Sequence, residues 1–325
     1  MKTLALSLFS GGLDSILSVK IISDQGIQVQ GVTFETPFFS AIRAQESAAR
    51  IHLPLLVLNF AGEHLEMLKK PKYGYGKNMN PCIDCHTLML KKTGALMDEM
   101  GADFIVTGEV LGQRPMSQGK QSLYVVAKNS GYLDRIIRPL SARLLPETKP
   151  EREGRVDRGR LLAISGRGRK VQMELAARYG ITDYPPPAGG CLLTDPMFTK
   201  RLRDLFQAEQ DPPLREIELL KYGRHFRIAP GIKIIVGRNS MDNRAIESHR
   251  KEGDAVLRME HMPGPTVLIP GGGDEESRLL AAGLCALYSG VSEAGEAQVV
   301  CFMGDHAIPL TVTPPGRDIP ARLLI

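Results

Sequence analysis

The sequence predicts an α/β protein, a doubly wound parallel sheet followed by a second, smaller α+β domain. Three observations carry that expectation. Short apolar runs alternate with amphipathic segments through the first half, and a glycine turn follows the first run. Beyond residue 205 the texture changes to strand-like runs around one clear helix. Runs apolar on both faces and separated by helices mark parallel strands that are covered on each side.

Taken in order, strands are expected at 4–9, 29–34, 55–60 and 103–110, with helices at 16–23, 41–51, 63–69 and 88–100 between them. Ligands of such sheets lie beyond the carboxyl ends of the strands, so the loops 10–15, 34–40 and 107–118 should face one site. In the second half, 232–236, 267–269 and 298–302 read as strands and 277–288 as a helix. The expected division is a catalytic domain at 1–205 and a smaller domain at 206–325. Tyr184 to Gly190, rich in proline and glycine, reads as a linker or an unusual loop.

A chain of 325 residues with 43% apolar and 24% charged residues can bury two cores. Its net charge of +5 does not by itself indicate a nucleic-acid partner. The basicity is concentrated, however: 135–178 holds 12 Lys plus Arg against five acids. Arg152, Arg155, Arg158, Arg160, Arg167, Arg169 and Lys170 could neutralise RNA phosphates without reading bases, with some pairing to Glu147, Glu151 and Glu153. Five cysteines at irregular spacing exclude a disulfide scaffold. The first apolar run is too short for a signal peptide, and no stretch approaches the ~20 residues that span a bilayer. The expectation is a cytoplasmic protein with no membrane partner; its oligomeric state is left open.

Three motifs carry chemistry. Ser10-Gly11-Gly12-Leu13-Asp14-Ser15 stands between a strand and a helix. Its glycines permit a sharp turn, the helix start offers amides to an anion, and Ser10 and Ser15 add hydroxyls. It is neither a Walker loop nor a dinucleotide fingerprint. At the end of the fourth expected strand, Thr107-Gly108-Glu109-Val110-Leu111-Gly112-Gln113 continues to Ser117-Gln118. Gly108 would permit close approach of nucleotide or substrate, and Glu109 or Gln113 could hydrogen-bond either. The third motif is Asn80-Pro81-Cys82-Ile83-Asp84-Cys85-His86, to be considered with the distant Cys191. Cys82, Cys85 and Cys191 could hold an iron-sulfur cluster, act through a persulfide, or join His86 around zinc. Cys285 and Cys301 lie in apolar runs and read as packed hydrophobes.

The first motif resembles the hallmark of the PP-loop ATP pyrophosphatases, which implies an adenine nucleotide alpha hydrolase-like domain. That resemblance puts Ser10, Gly11, Gly12, Asp14 and Ser15 on the phosphates of ATP with Mg2+, and offers Phe34 as a neighbour of adenine. The second motif resembles the T-G-E/D-x-L-G-Q stretch of tRNA 4-thiouridine synthetases, with one residue more before Ser117. The C-x-x-C with a third cysteine is similar to a subset of tRNA thiolases in which the trio holds a 4Fe-4S cluster; 2-thiouridylases share the N-P-C-x-x-C segment. Lys221 to Phe226, Val236 to Asn239 and His261 to Thr266 resemble NFACT-R domains, a family linked to RNA binding, with Arg238, Asn243 and His261 as candidate contacts.

Together these resemblances imply an ATP-dependent tRNA sulfurtransferase that adenylates a uridine carbonyl and replaces its oxygen with sulfur, of 4-thiouridine or 2-thiouridine type. Asp14, Cys82 and Cys191 would be the catalytic residues. No THUMP-like or rhodanese-like module is expected, so sulfur would come from sulfide or a separate donor. Two other readings stay open: a PP-loop ligase acting on a small-molecule acceptor, and a non-catalytic RNA-binding metalloprotein.

Overall fold

The computed structural model describes residues 3–114, 116–184 and 190–325. The chain divides into two compact units, Met1–Thr194 and Asp195–Ile325. Most of the proline-glycine stretch 184–190 lies outside the described residues.

In the first unit the elements are β1 (Leu4–Leu8), α1 (Leu13–Ser23), β2 (Gln28–Glu35), α2 (Ile42–Arg50), β3 (Leu55–Asn59), α3 (Ala61–Lys69), α4 (Cys82–Met100), β4 (Phe104–Thr107), α5 (Lys120–Ser130), β5 (Ile136–Ile137), the single turn α6 (Lys149–Arg152) and α7 (Lys170–Arg178). All five strands are parallel, in the order β3-β2-β1-β4-β5. Alternation along each strand serves two cores, because successive side chains point to opposite faces. Ala5, Phe104 and Val106 pack with Leu17 of α1 and Ala176 of α7, whereas Leu6 and Ile105 pack with Leu90 of α4 and Val126 of α5. Both faces are therefore covered, as the unbroken apolar runs required. The strand order reverses between β1 and β4, so the loops after these two strands open onto the same crevice.

The second unit comprises α8 (Pro196–Ala208), α9 (Leu214–Leu219), β6 (Arg224–Ala229), β7 (Ile232–Val236), α10 (Ser240–Ser248), β8 (Ala255–Met259), β9 (Val267–Ile269), α11 (Glu275–Tyr288), β10 (Ala297–Met303), β11 (His306–Val312) and α12 (Asp318–Leu323). Its sheet is antiparallel, in the order β11-β10-β8-β9-β7-β6. The helix α11 lays Ala281, Ala282 and Leu284 on Ile234, Val236, Leu257 and Val299. Asp274 caps α11 by accepting from Ser277 N at 2.8 Å, which accounts for the acids that follow Gly271 to Gly273. Cys285 and Cys301 are fully buried in this core. A division at 205 would cut α8, whose Asp204 is ion-paired to Arg227 of β6.

Candidate functional site

The turn that joins β1 to α1 is held from outside. Gly11 has φ +73, and a Cβ there would stand 2.5 Å from the carbonyl oxygen of Arg43. Ser47 of α2 donates to Gly11 O at 2.9 Å. The loop therefore rests directly on the backbone of the first turn of α2, and only a glycine fits. Inside the turn Ser15 Oγ donates to Gly12 O at 2.8 Å, and Ser10 Oγ lies 3.3 Å from Ser15 Oγ. Gly12 caps α1 without a side chain, so the first amides of the helix are left for an anion. Asp14 has one oxygen fixed by Gln113 Nε2 at 2.7 Å, while its buried Oδ1 has no hydrogen-bond partner among the described residues.

The loop after β4 closes over this helix start. A Cβ on Gly108 would lie 2.6 Å from Ser15 N and 2.7 Å from Ser15 Cα. The close approach that Gly108 permits is thus that of α1 itself. Gln113 accepts from Gln172 of α7 at 3.0 Å, so Asp14, Gln113 and Gln172 form a chain across three elements. Glu109 is held by other partners. It is buried, ion-paired to Arg138 at 2.9 Å, and lies 3.2 Å from His86 Nδ1. Burial raises its pKa, but the Arg138 charge and His86 outweigh that and hold it at about 2. His86 is thereby engaged with Glu109, not turned toward the cysteines.

Cys82 and Cys85 occupy the first turn of α4, which begins six residues before the apolar periodicity becomes visible at 88. Asp84, between them, accepts from Lys72 N and Tyr73 N at 3.1 and 3.0 Å and fixes the preceding loop. The segment carrying Cys191 is docked onto the same region: Leu192 N donates to Phe38 O at 2.9 Å, Met79 N to Leu193 O at 3.3 Å, and Asn78 Nδ2 to Thr194 O at 2.7 Å. All three thiols are pushed toward the neutral form by burial. Cys85 stands well above its ordinary value, raised further by Cys191 and Cys82, and Cys191 rises to about 11. Cys82 is raised by burial and partly relieved by Arg114 and a hydrogen bond from Asn80. The three sulfurs thus share one electrostatic neighbourhood. Among the described residues, no three His, Cys, Asp or Glu side chains stand close enough to hold a single metal ion.

Several participants had no signal in the sequence. His64, fully buried among Phe38, Phe39 and Phe60, places Nε2 3.5 Å from Cys85 Sγ; burial pushes its pKa down to about 4. Arg138, Gln172 and Ser47 come from segments with no motif, and Arg114 lies within the second motif at a position to which no role was given. Phe34 is 3% exposed and packs at a tilt against Phe60, with ring centroids 4.8 Å apart.

The arginines of the basic segment are largely engaged, mostly by groups outside it. Arg152 meets Asp134 at 2.5 Å, Arg155 meets Asp103 at 2.5 Å, Arg158 meets Glu151 at 2.5 Å, and Arg160 donates to Asp24 O at 2.8 Å. Arg167 and Lys170 remain on the surface. In the second unit Arg238 is ion-paired to Asp242 at 2.6 Å, and Asn243 bridges Thr266 N and Gly264 O, so both serve local structure; His261 is exposed. No helix among the described residues is long and apolar enough to cross a membrane.

Comparison with known proteins gives two separate matches. Residues 2–143 match the family described as thiamine biosynthesis protein (ThiI), and residues 223–314 match the NFACT protein RNA binding domain. A tRNA-specific 2-thiouridylase MnmA from Helicobacter hepaticus is 30% identical over 164 residues, 44% of this chain and 47% of its own length. A probable tRNA sulfurtransferase from Thermoanaerobacter sp. is 29% identical over 147 residues, 42% of this chain and 36% of its own. The chain thus spans less than half the length of these curated relatives. A crystal structure of a 4-thiouridine synthetase–RNA complex with bound ATP superposes with a TM-score of 0.40 at 21% identity, covering 66% of this chain and 52% of that one. Residues 2–143 therefore form a domain of the ThiI family, and residues 223–314 a domain of the NFACT RNA-binding family.

Proposed function

We propose that the chain is an ATP-dependent tRNA sulfurtransferase that adenylates a uridine carbonyl oxygen and then replaces that oxygen with sulfur. The observation that carries the reading is the adjacency of Gln113 and Arg114 in one loop. Gln113 hydrogen-bonds Asp14 in the anion turn, and the charge of Arg114 bears on Cys82. Anion turn and cysteine motif therefore flank the same strand ends, where a parallel sheet binds its ligand.

In this reading Ser10, Gly11, Gly12 and Ser15 cradle the phosphates of ATP. Asp14 Oδ1, an unpartnered hard oxygen, suits Mg2+. The uridine oxygen attacks the α-phosphorus and pyrophosphate leaves with the electron pair of the broken P–O bond. Hydrosulfide adds to the activated ring carbon, its proton passes to solvent, and AMP departs with the original oxygen. The target base has to leave its stack to reach such a site.

Cys82, Cys85 and Cys191 are the residues that would hold a 4Fe-4S cluster. Three thiol donors that share one electrostatic neighbourhood match the soft donor set such a centre takes. When bound, such a centre supplies an open iron that can hold hydrosulfide. A persulfide route asks for a low-pKa thiolate, and burial drives all three thiols the other way. The NFACT-type domain supplies RNA affinity, and sulfide or a separate donor protein supplies sulfur.

Anaerobic purification with iron and sulfide analysis, followed by nucleoside analysis of tRNA from cells lacking the protein, tests the proposal. Loss of one thiolated nucleoside is the expected result. An unchanged nucleoside profile, with pyrophosphate released in the absence of RNA, would transfer the chemistry to a small-molecule acceptor.

A further inference from the structure

In the second unit, β6 and β7 pair so that Arg227 and Lys233 are direct cross-strand partners. Like charges opposite one another on a sheet repel. Here one of the two is also taken out of water: Lys233 is 4% exposed. Its Nζ makes no hydrogen bond among the described residues, and its near acid, Glu216, lies 3.9 Å away and already holds Arg215 at 2.6 Å. Arg227 is braced by Asp204 at 3.2 and 2.5 Å. A buried ammonium with three donors and no acceptor is costly unless something brings acceptors to it.

Room for such a group exists. Lys233 and Arg227 open into a cavity of about 310 Å³ whose wall also carries Lys251 and the glycines Gly231 and Gly271. An added Cβ at either glycine would meet nothing within 4 Å, so the floor is open. Arg215 is shared between Glu216 and the buried Asp254, whose carboxylate is also taken up by the backbone amides of Lys251 and Gly271, and Glu209, also on the wall, is exposed at the rim. Burial and the neighbouring Arg227 push the Lys233 amine down to about 8 despite Glu216.

We propose that this cavity is an anion site taking one phosphate group, with Lys233 at its base and Arg227 and Lys251 at its sides. A phosphate offers several acceptor oxygens and a charge that would relieve the Arg227–Lys233 repulsion. The group can come from free inorganic phosphate or pyrophosphate, or from the phosphorylated end of an RNA strand. The site stands on the geometry of this unit and does not depend on the sulfurtransferase reading.

The test uses the full chain, titrated calorimetrically with inorganic phosphate, pyrophosphate, a 5′-phosphorylated RNA oligonucleotide and its 5′-hydroxyl twin. Lys233→Met is expected to fold, because it removes a buried charge and keeps the bulk. It should weaken binding of at least one phosphate probe by about tenfold or more. Lys251→Ala, at an exposed position, should weaken the same probe several-fold. A preference of the wild type for the phosphorylated strand over its twin, lost in Lys233→Met, identifies RNA as the source. Loss confined to the inorganic probes identifies the free anion. The proposal fails if no probe binds the wild type, or if both variants bind every probe as the wild type does. Binding of the hydroxyl twin reports RNA affinity separately, so the two ideas fail independently.

Discussion

Gln113 Nε2 donates to Asp14 Oδ2 at 2.7 Å and, through its own oxygen, accepts from Gln172 at 3.0 Å. One oxygen of Asp14 is therefore fixed while the other is left bare. A residue that orients a metal-binding carboxylate supports affinity and rate without touching the metal. Gln113→Leu keeps the bulk and removes both bonds. It is expected to lower Mg2+-dependent ATP binding and pyrophosphate release by about 10- to 100-fold. The circular dichroism of the variant should match that of the wild type, and titration calorimetry with ATP and Mg2+ measures the loss.

Gly108 and Ser15 make a backbone-to-backbone contact with no slack. A Cβ on Gly108 at 2.6 Å from Ser15 N can be accommodated only by moving α1 or the end of β4. Gly108→Ala is expected to cost ~1–3 kcal/mol by overpacking and to impair ATP binding in the same molecule. Gly62, in α3, is the contrast: an added methyl meets nothing within 4 Å. Gly62→Ala should be neutral or stabilise by up to about 1 kcal/mol through helix propensity. Urea denaturation of the two variants side by side measures both effects.

These two glycines also show what a sequence can and cannot disclose. Ser10 to Ser15 was legible because a strand, a glycine pair and a helix start follow one another along the chain, and periodicity located β1 to β4 within a few residues. The start of α4 was missed because Cys82 to Thr87 presents few apolar residues to mark a helical face. In the second unit β6, β8 and β11 went unread: β6 carries Arg224 and Arg227, β8 carries Arg258, and β11 contains Pro309 at a sheet edge. His64, Arg138 and Gln172 were invisible for another reason. Each acts on a motif residue from at least 21 positions away, a relationship only tertiary structure creates.

Glu109 links this site to acid stability. Its folded pKa of about 2 lies below the value of 4.5 it has when free. As pH falls through that interval the unfolded chain takes up the proton first, so stability present above about pH 4.5 drains away toward pH 2, by ~3 kcal/mol in all. Glu109→Gln should flatten this part of the stability curve. It should also lower stability at neutral pH by about 3–5 kcal/mol, because Arg138 is left buried without its counter-charge. Thermal unfolding followed from pH 2 to 7 in both proteins measures the two effects. An unchanged acid limb in the variant would assign the titration elsewhere.

The thiols give the sharpest separation between the two sulfur chemistries. In metal-free, reduced protein the thiolate is the form that alkylates, and Cys191 at about 11 holds roughly a hundredfold less of it at neutral pH than a thiol at 9. Cys85, buried and raised further by Cys191 and Cys82, should label slowly as well, and Cys82, relieved by Arg114, should be the fastest. Iodoacetamide labelling followed by peptide mass spectrometry gives the order directly. Arg114→Ala should slow Cys82 and leave Cys191 unchanged. Reconstitution with iron and sulfide should protect all three together, and Cys82→Ser, Cys85→Ser or Cys191→Ser should each abolish that shared protection. Fast labelling of one thiol, with the other two protected independently of iron, would favour a persulfide carrier instead.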